Sequence, residues 1–191
     1  MNTGPDHLDV ATMLNNIGSV YAEERSDEKA MEYYLEALKV RRKKLGDDNL
    51  TVATTQFNLG EVYAKTGYLD KALECFRETL RIRSIKLGKY STEIVRVLDS
   101  MARIFLADGE LERSLEYFAD SYRVTEKHFG SDSMEAALTL ENIAIVRIEQ
   151  GLHDIAMKAL EEVLRIKRSR GADASMTTTR MRSIQEFCSN A

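Results

Sequence analysis

Asn16-Ile17-Gly18-Ser19-Val20-Tyr21 returns 42 residues later as Asn58-Leu59-Gly60-Glu61-Val62-Tyr63. After the same interval it appears as Ser100-Met101-Ala102-Arg103-Ile104-Phe105, and once more as Asn142-Ile143-Ala144-Ile145-Val146-Arg147. The flanking sequence keeps step. His7-Leu8-Asp9-Val10-Ala11-Thr12 lands on Asn49-Leu50-Thr51-Val52-Ala53-Thr54, and Leu45-Gly46 lands on Leu87-Gly88 and Phe129-Gly130. Gapless matches at one fixed interval mark a repeat array, in which each unit buries its apolar face against its neighbours.

Within a copy the apolar residues are spaced for helices. Val10, Leu14, Ile17, Gly18 and Tyr21 form one stripe, and Ala30, Met31, Tyr34, Ala37 and Leu38 form another further on. Gly67, Gly109 and Gly151 share the turn column between the two helices, where a left-handed residue ends the first; the first copy has Arg25 there, at a conformational cost. Asp27, Asp70 and Asp154 stand near the start of the second helix, where a carboxylate can cap free amides. No stretch alternates with the period of a strand, which excludes a β-propeller as the source of the repeat.

Two columns are small in every copy: Gly18, Gly60, Ala102, Ala144 and Ala30, Ala72, Ser114, Ala156. Small residues on both helices of a pair permit a tight crossing, with aromatics at Tyr21, Tyr63, Phe105 and Tyr34, Phe76, Phe118 beside it. This order of small and aromatic residues resembles the tetratricopeptide repeat. The longer unit resembles its kinesin light chain subfamily, on Leu14-Asn15-Asn16-Ile17, on Tyr33-Tyr34-Leu35-Glu36-Ala37-Leu38, and on the Leu45-Gly46 to Val52-Ala53 junction. The resemblance spans residues 4 to 174. The proline common near the end of the basic repeat is absent, in keeping with the longer second helix.

The expected fold is therefore all-α: a right-handed α-α superhelical solenoid of about four helix pairs plus a C-terminal helix. Residues 1–6 read as a linker remnant or tail, 7–48, 49–90, 91–132 and 133–173 as four repeats, and 174–191 as a capping helix or truncated repeat. In the last segment Met181, Ile184 and Phe187 align with Leu140, Ile143 and Val146.

Composition narrows the function. The formal net charge of −4 gives no reason to expect nucleic acid. No apolar stretch approaches bilayer length, and the polar start lacks the core of a secretory signal, so no membrane partner is expected and the cytoplasm is the default. The two cysteines, Cys75 and Cys188, have no metal-like spacing and suit a reducing compartment, Cys75 as packing. His7, His128 and His153 occupy dissimilar repeat positions without neighbouring ligands, and no phosphate loop or nucleophile elbow is present. No enzyme activity, cofactor or metal is expected. The basic runs Lys39 to Lys44 and Arg165 to Arg170 close second helices, where cations complement the macrodipole, and read as solvated helix ends.

In a solenoid of helix pairs the first helices line the concave side. The residues expected there include Asn15, Asn16, Ser19 and Glu23; then Phe57, Asn58, Glu61 and Lys65; then Arg96, Asp99, Ser100 and Arg103; then Glu141, Asn142 and Glu149. The column Asn16, Asn58, Ser100, Asn142 has two readings. Its amides hold the backbone of a bound peptide, as the resemblance to kinesin light chain implies, or they bond to the next repeat and tie the stack together. Arg96 and Arg103, seven apart on one face, would make a positive spot for an acidic peptide, with Asp99 placed to pair with Arg103 and Glu141 and Glu149 making the fourth groove acidic. The candidate peptide-binding set is Asn15, Asn16, Phe57, Asn58, Lys65, Arg96, Ser100, Arg103 and Asn142. The function this points to is a non-catalytic scaffold, monomeric or weakly self-associating, for a protein or peptide segment. The alternative is a structural or regulatory array within a larger protein, attached to a switch domain or packing on itself through Met13, Ile17 or Phe187.

Overall fold

The computed structural model describes residues 7–190; the expected linker remnant at 1–6 lies outside them. Its helices are α1 (His7–Glu23), α2 (Asp27–Leu45), α3 (Leu50–Lys65), α4 (Leu69–Leu87), α5 (Val95–Ala107), α6 (Leu111–Phe129), α7 (Met134–Glu149), α8 (His153–Ser169) and α9 (Ser175–Asn190). A 3-10 turn, Thr92–Ile94, leads into α5. No strand occurs among the described residues, and none of their helices is long and apolar enough to cross a membrane. The chain forms an all-α helical repeat. It divides into two compact units, residues 1–100 and 101–191.

Each helix pair closes on its small columns. In the first unit a Cβ on Gly18 would lie 2.9 Å from the Tyr34 ring, and one on Gly60 would lie 2.7 Å from Cε1 of Phe76 and 3.1 Å from Cβ of Cys75. A Cβ less than 3.0 Å from a neighbouring ring carbon would force that ring to shift, so the hydrogen side chain is what permits the crossing as it stands. In the second unit Ser114 Oγ donates to the Ala102 carbonyl at 2.8 Å, and Ala144 and Ala156 are both fully buried in one cluster. Between pairs, Leu59 and Val62 of α3 share a core with Tyr34 and Leu38 of α2, and Val146 and Ile143 of α7 pack with Phe118 and Tyr117 of α6.

The turn within a pair corrects the capping expectation. Second helices begin without a side-chain cap, and Asp27, Asp70 and Asp154 sit inside the first turn, favourable to the dipole but bonded to no free amide. The reason is the compact exit of the preceding helix. Ser26 N–H donates to the Tyr21 carbonyl, Tyr68 to Tyr63 and Leu152 to Arg147, each at 2.8–2.9 Å, the six-to-one bond of a Schellman turn. That bond holds the cap residue at ψ near 64° for Ser26, away from the extended backbone a capping side chain needs. Where the linker is longer, side-chain caps return: Asn49 Oδ1 accepts from Thr51 N–H at 2.8 Å, and Ser133 Oγ from Ala136 N–H at 3.1 Å. The left-handed turn residue is Arg25 at φ 60°, where the next copy has Gly67 at φ 82°.

The basic runs are not simply solvated helix ends. Arg41 is 6% exposed, and its guanidinium donates to the Thr51 carbonyl at 3.0 Å, to Thr55 Oγ1 at 2.5 Å and to Thr12 Oγ1 at 3.4 Å. Forty-two residues on, buried Arg83 donates to the Glu93 carbonyl at 2.6 Å. Lys167 is buried too, donating to Glu141 Oε2 at 2.8 Å and Thr177 Oγ1 at 2.9 Å. Arg41 and Lys167 reach from the end of one helix to the first turn of the next, and Arg83 reaches the 3-10 turn that leads into α5. Burial, with no carboxylate in hydrogen-bond contact, holds the Arg41 guanidinium below its usual range. The third copy has Thr125 in this column; its hydroxyl is buried and lacks a hydrogen-bond partner among the described residues.

Helix α9 packs Ile184 and Met181 against α7 and α8, in a core with Ala144, Ala156 and Leu160. Phe187 is exposed, with its ring centre 4.9 Å from that of His153 in an edge-on arrangement. A buried polar knot fastens α9: Glu141 accepts from Lys167, from Thr177 Oγ1 at 2.9 Å and from Arg180 at 3.3 Å. Glu141 is thereby spent internally, which corrects its expected role as a free acidic groove residue.

Candidate functional site

The first unit contains a hollow of about 470 Å³ lined by one turn after another of α1 and α3, with Tyr34 from α2 and Arg96 from α5. Its apolar members are Ala22, Tyr34, Phe57 and Val62. Ser19, Glu23, Asn58, Glu61, Lys65 and Arg96 supply the polar ones. Two carboxylates and two cations leave the lining close to neutral, so it suits a ligand with distributed polar groups better than a highly charged one.

Local helix geometry explains the set. Ser19 and Glu23 are four apart on α1, and Asn58, Glu61 and Lys65 follow at three and four on α3, so each helix offers one stripe. Phe57 is 4% exposed, with the Arg96 guanidinium 5.0 Å and the Arg83 guanidinium 5.3 Å from its ring centre. Lys65 Nζ pairs with Asp27 at 2.7 Å, tying the second helix pair to the first. The Tyr34 hydroxyl donates to Ser19 Oγ at 3.0 Å, and burial raises its pKa above the usual phenol range. With Ser19 engaged and no histidine or cysteine in the lining, the hollow holds no paired nucleophile and base.

Of the expected groove residues, the structure brings Ser19, Glu23, Phe57, Asn58, Glu61, Lys65 and Arg96 together at this hollow. The rest of the candidate set lies elsewhere. Asn15 is buried and accepts from Asn58 Nδ2 at 3.5 Å, and Ser100 is buried with its hydroxyl donating to Glu61 Oε1 at 2.7 Å. Both tie neighbouring repeats and do not stand open in the groove, because each lies one step from the core stripe of its helix. Arg103 does not join Arg96 at the hollow: it is exposed on the part of α5 that belongs to the second unit, where Asn142 is half-buried on α7. Asn16 is exposed on α1 outside the lining.

Ala22, Tyr34 and Val62 also line the hollow although all three pack in the core of the first unit, which gave them no groove role in the apolar pattern. Among the described residues no three His, Cys, Asp or Glu side chains gather as a metal site would require. Cys75 is buried, and burial pushes its thiol up to about 11, the opposite of an activated nucleophile.

Comparison with known proteins agrees with the fold. The model of the tetratricopeptide repeat family matches residues 9–84 and 93–169. A search of curated proteins gives no match. Among solved structures, BtubC (BKLC) from P. vanneervenii is 19% identical with a TM-score of 0.83, over 96% of this chain and 74% of that one. The nearly identical TPR-like repeats of a candidate kinesin light chain from Podosopora anserina are 15% identical with a TM-score of 0.76, over 97% and 94% of the two chains. RapI in its apo form is 17% identical with a TM-score of 0.76, over 88% of this chain and 60% of that one. At these identities the likeness is one of fold. Matched over most of its length, the chain belongs to the tetratricopeptide repeat family.

Proposed function

We propose that the protein is a non-catalytic interaction scaffold of the cytoplasm, which holds an extended peptide segment of a partner protein in the hollow of its first unit. One observation carries this reading: Asn58, whose Nδ2 donates to Asn15, lines a hollow of about 470 Å³ together with Lys65, Arg96 and Glu23. A carboxamide both donates and accepts, so it can bond a peptide backbone whatever the ligand's side chains. The neighbouring cations favour a peptide with an acidic residue at that point, and Glu23 and Glu61 disfavour a uniformly acidic one. That tetratricopeptide arrays serve protein partners supports the same reading.

The test is a peptide array probed with the full chain, followed by titration of the strongest binder. Asn58→Ala and Arg96→Glu should each weaken it about tenfold, some 1.4 kcal/mol, with the helical circular dichroism of the native chain retained. An array without specific binders, or an affinity unchanged from the native chain in both variants, refutes the groove. A second reading, that the chain is part of a larger assembly, is favoured by a different surface, the exposed apolar side of α1.

A further inference from the structure

Met13, Ile17 and Val20 lie on one stripe of α1 and are 53%, 40% and 53% exposed. The 42-residue register shows what that stripe is for elsewhere in the chain. Its equivalents on α3, Thr55, Leu59 and Val62, are 0%, 2% and 4% exposed, with Leu59 and Val62 in one core with Tyr34 and Leu38 of α2. On α7 the equivalents are Thr139, Ile143 and Val146; Val146 is fully buried and packs with Ile143 against Phe118 of α6. In both places a second helix covers the stripe. On α1 the stripe is at least as apolar, with Met13 standing where α3 has Thr55.

The charged end of the stripe matches as well. Arg41, three residues beyond Leu38, donates to the backbone of Thr51 at 3.0 Å, and Arg83 donates to Glu93 and lies 4.0 Å from its carboxylate. The residue of α1 in that column is Asp9, exposed and one turn ahead of Met13.

We infer that this face of α1 docks an amphipathic helix from a partner protein. That helix carries two large apolar residues four apart and a lysine or arginine three residues after the second, the pattern Tyr34, Leu38, Arg41. Charge decides between this occupant and a second copy. Helix α1 has no lysine or arginine, only His7, Asp9 and Glu23, so two α1 faces would bring carboxylates together without a cation. The helices of the chain that do carry the pattern are committed: Tyr34, Leu38 and Arg41 are 3%, 5% and 6% exposed in their own repeats. The site is separate from the peptide-binding hollow and stands or falls without it.

The probe is a fluorescein-labelled, end-capped peptide with the sequence of residues 27–45, titrated against the full chain by anisotropy. The peptide should bind, and Met13→Gln/Val20→Gln should weaken it at least tenfold while the thermal midpoint stays in place, since both side chains are half exposed. Arg41→Glu in the peptide should weaken binding, and Asp9→Lys in the protein should restore it to that peptide. No binding by the peptide, equal binding by the double variant, or no recovery in the charge exchange overturns the inference. So does a concentration-dependent dimer by sedimentation that Met13→Gln/Val20→Gln abolishes, which would give the face to a second copy. Binding of the groove peptide should be the same in the double variant, so loss of one site does not imitate loss of the other.

Discussion

Gly60→Ala sets two known effects against each other at one atom. In an isolated helix the change would stabilise by about 1 kcal/mol through lower backbone entropy in the unfolded chain. In this fold the added methyl would sit 2.7 Å from Cε1 and 3.0 Å from Cδ1 of Phe76, with Cβ of Cys75 at 3.1 Å. Phe76 is fully buried, so its ring cannot swing into solvent, and Cβ of Cys75 moves only with the α4 backbone. Overpacking of this kind costs about 1–3 kcal/mol, and with ring and backbone both fixed the upper part of that range applies. The expected result is a net loss of about 1–2 kcal/mol, seen as a thermal midpoint lower by about 2–8 °C. A double-mutant cycle isolates the contact. Phe76→Leu alone destabilises by removing core volume, but in that background Gly60→Ala should cost little or become favourable, a coupling of about 1–3 kcal/mol. If Gly60→Ala raises stability in the native background, or the two changes simply add, the tight crossing of α3 and α4 is not what the small columns secure.

Two further changes probe positions where one copy departs from the others. Thr125→Val replaces a buried hydroxyl lacking a partner with a methyl group of the same shape, and should raise stability by about 1 kcal/mol in urea unfolding; a loss would mean the hydroxyl is satisfied. Arg25→Gly relieves a left-handed backbone at φ 60°, worth about 1–2 kcal/mol, against about 0.5–1 kcal/mol of extra unfolded-state entropy; a small rise in thermal midpoint is expected, and a fall refutes the strain.

The repeat and its close crossings were legible because they are set by side-chain size in a fixed register. Gly18, Gly60, Ala102 and Ala144 leave no alternative once two helices must touch there. The groove was legible in outline for the same reason: Asn58, Glu61 and Lys65 follow one another at three and four on α3, beside the buried Phe57. What escaped was the fate of individual polar groups. Arg41 and Arg83 carry the composition of a solvated helix end, and only their place on the stripe of Ala30, Tyr34 and Leu38 hinted at burial. Asn15 and Ser100 depend on whether an acceptor or donor on the next helix lies within reach, a matter of a few tenths of an ångström that no spacing rule contains. Asp27, Asp70 and Asp154 have the right residue type for a cap, but the Schellman turn before them fixes a backbone that points the carboxylate elsewhere.

The buried cations that join one helix pair to the next have a consequence for how the molecule assembles. Arg41 and Thr51, Arg83 and Glu93, and Lys167 and Thr177 are each separated by only ten residues of chain. Closing so short a loop costs little entropy, and none of these links waits for a distant segment to arrive. Assembly can therefore start at any of these joints and zip outward one helix at a time, the kinetic regime of low contact order. The joint at Thr125 offers no such early clasp and is left to close on side-chain packing alone.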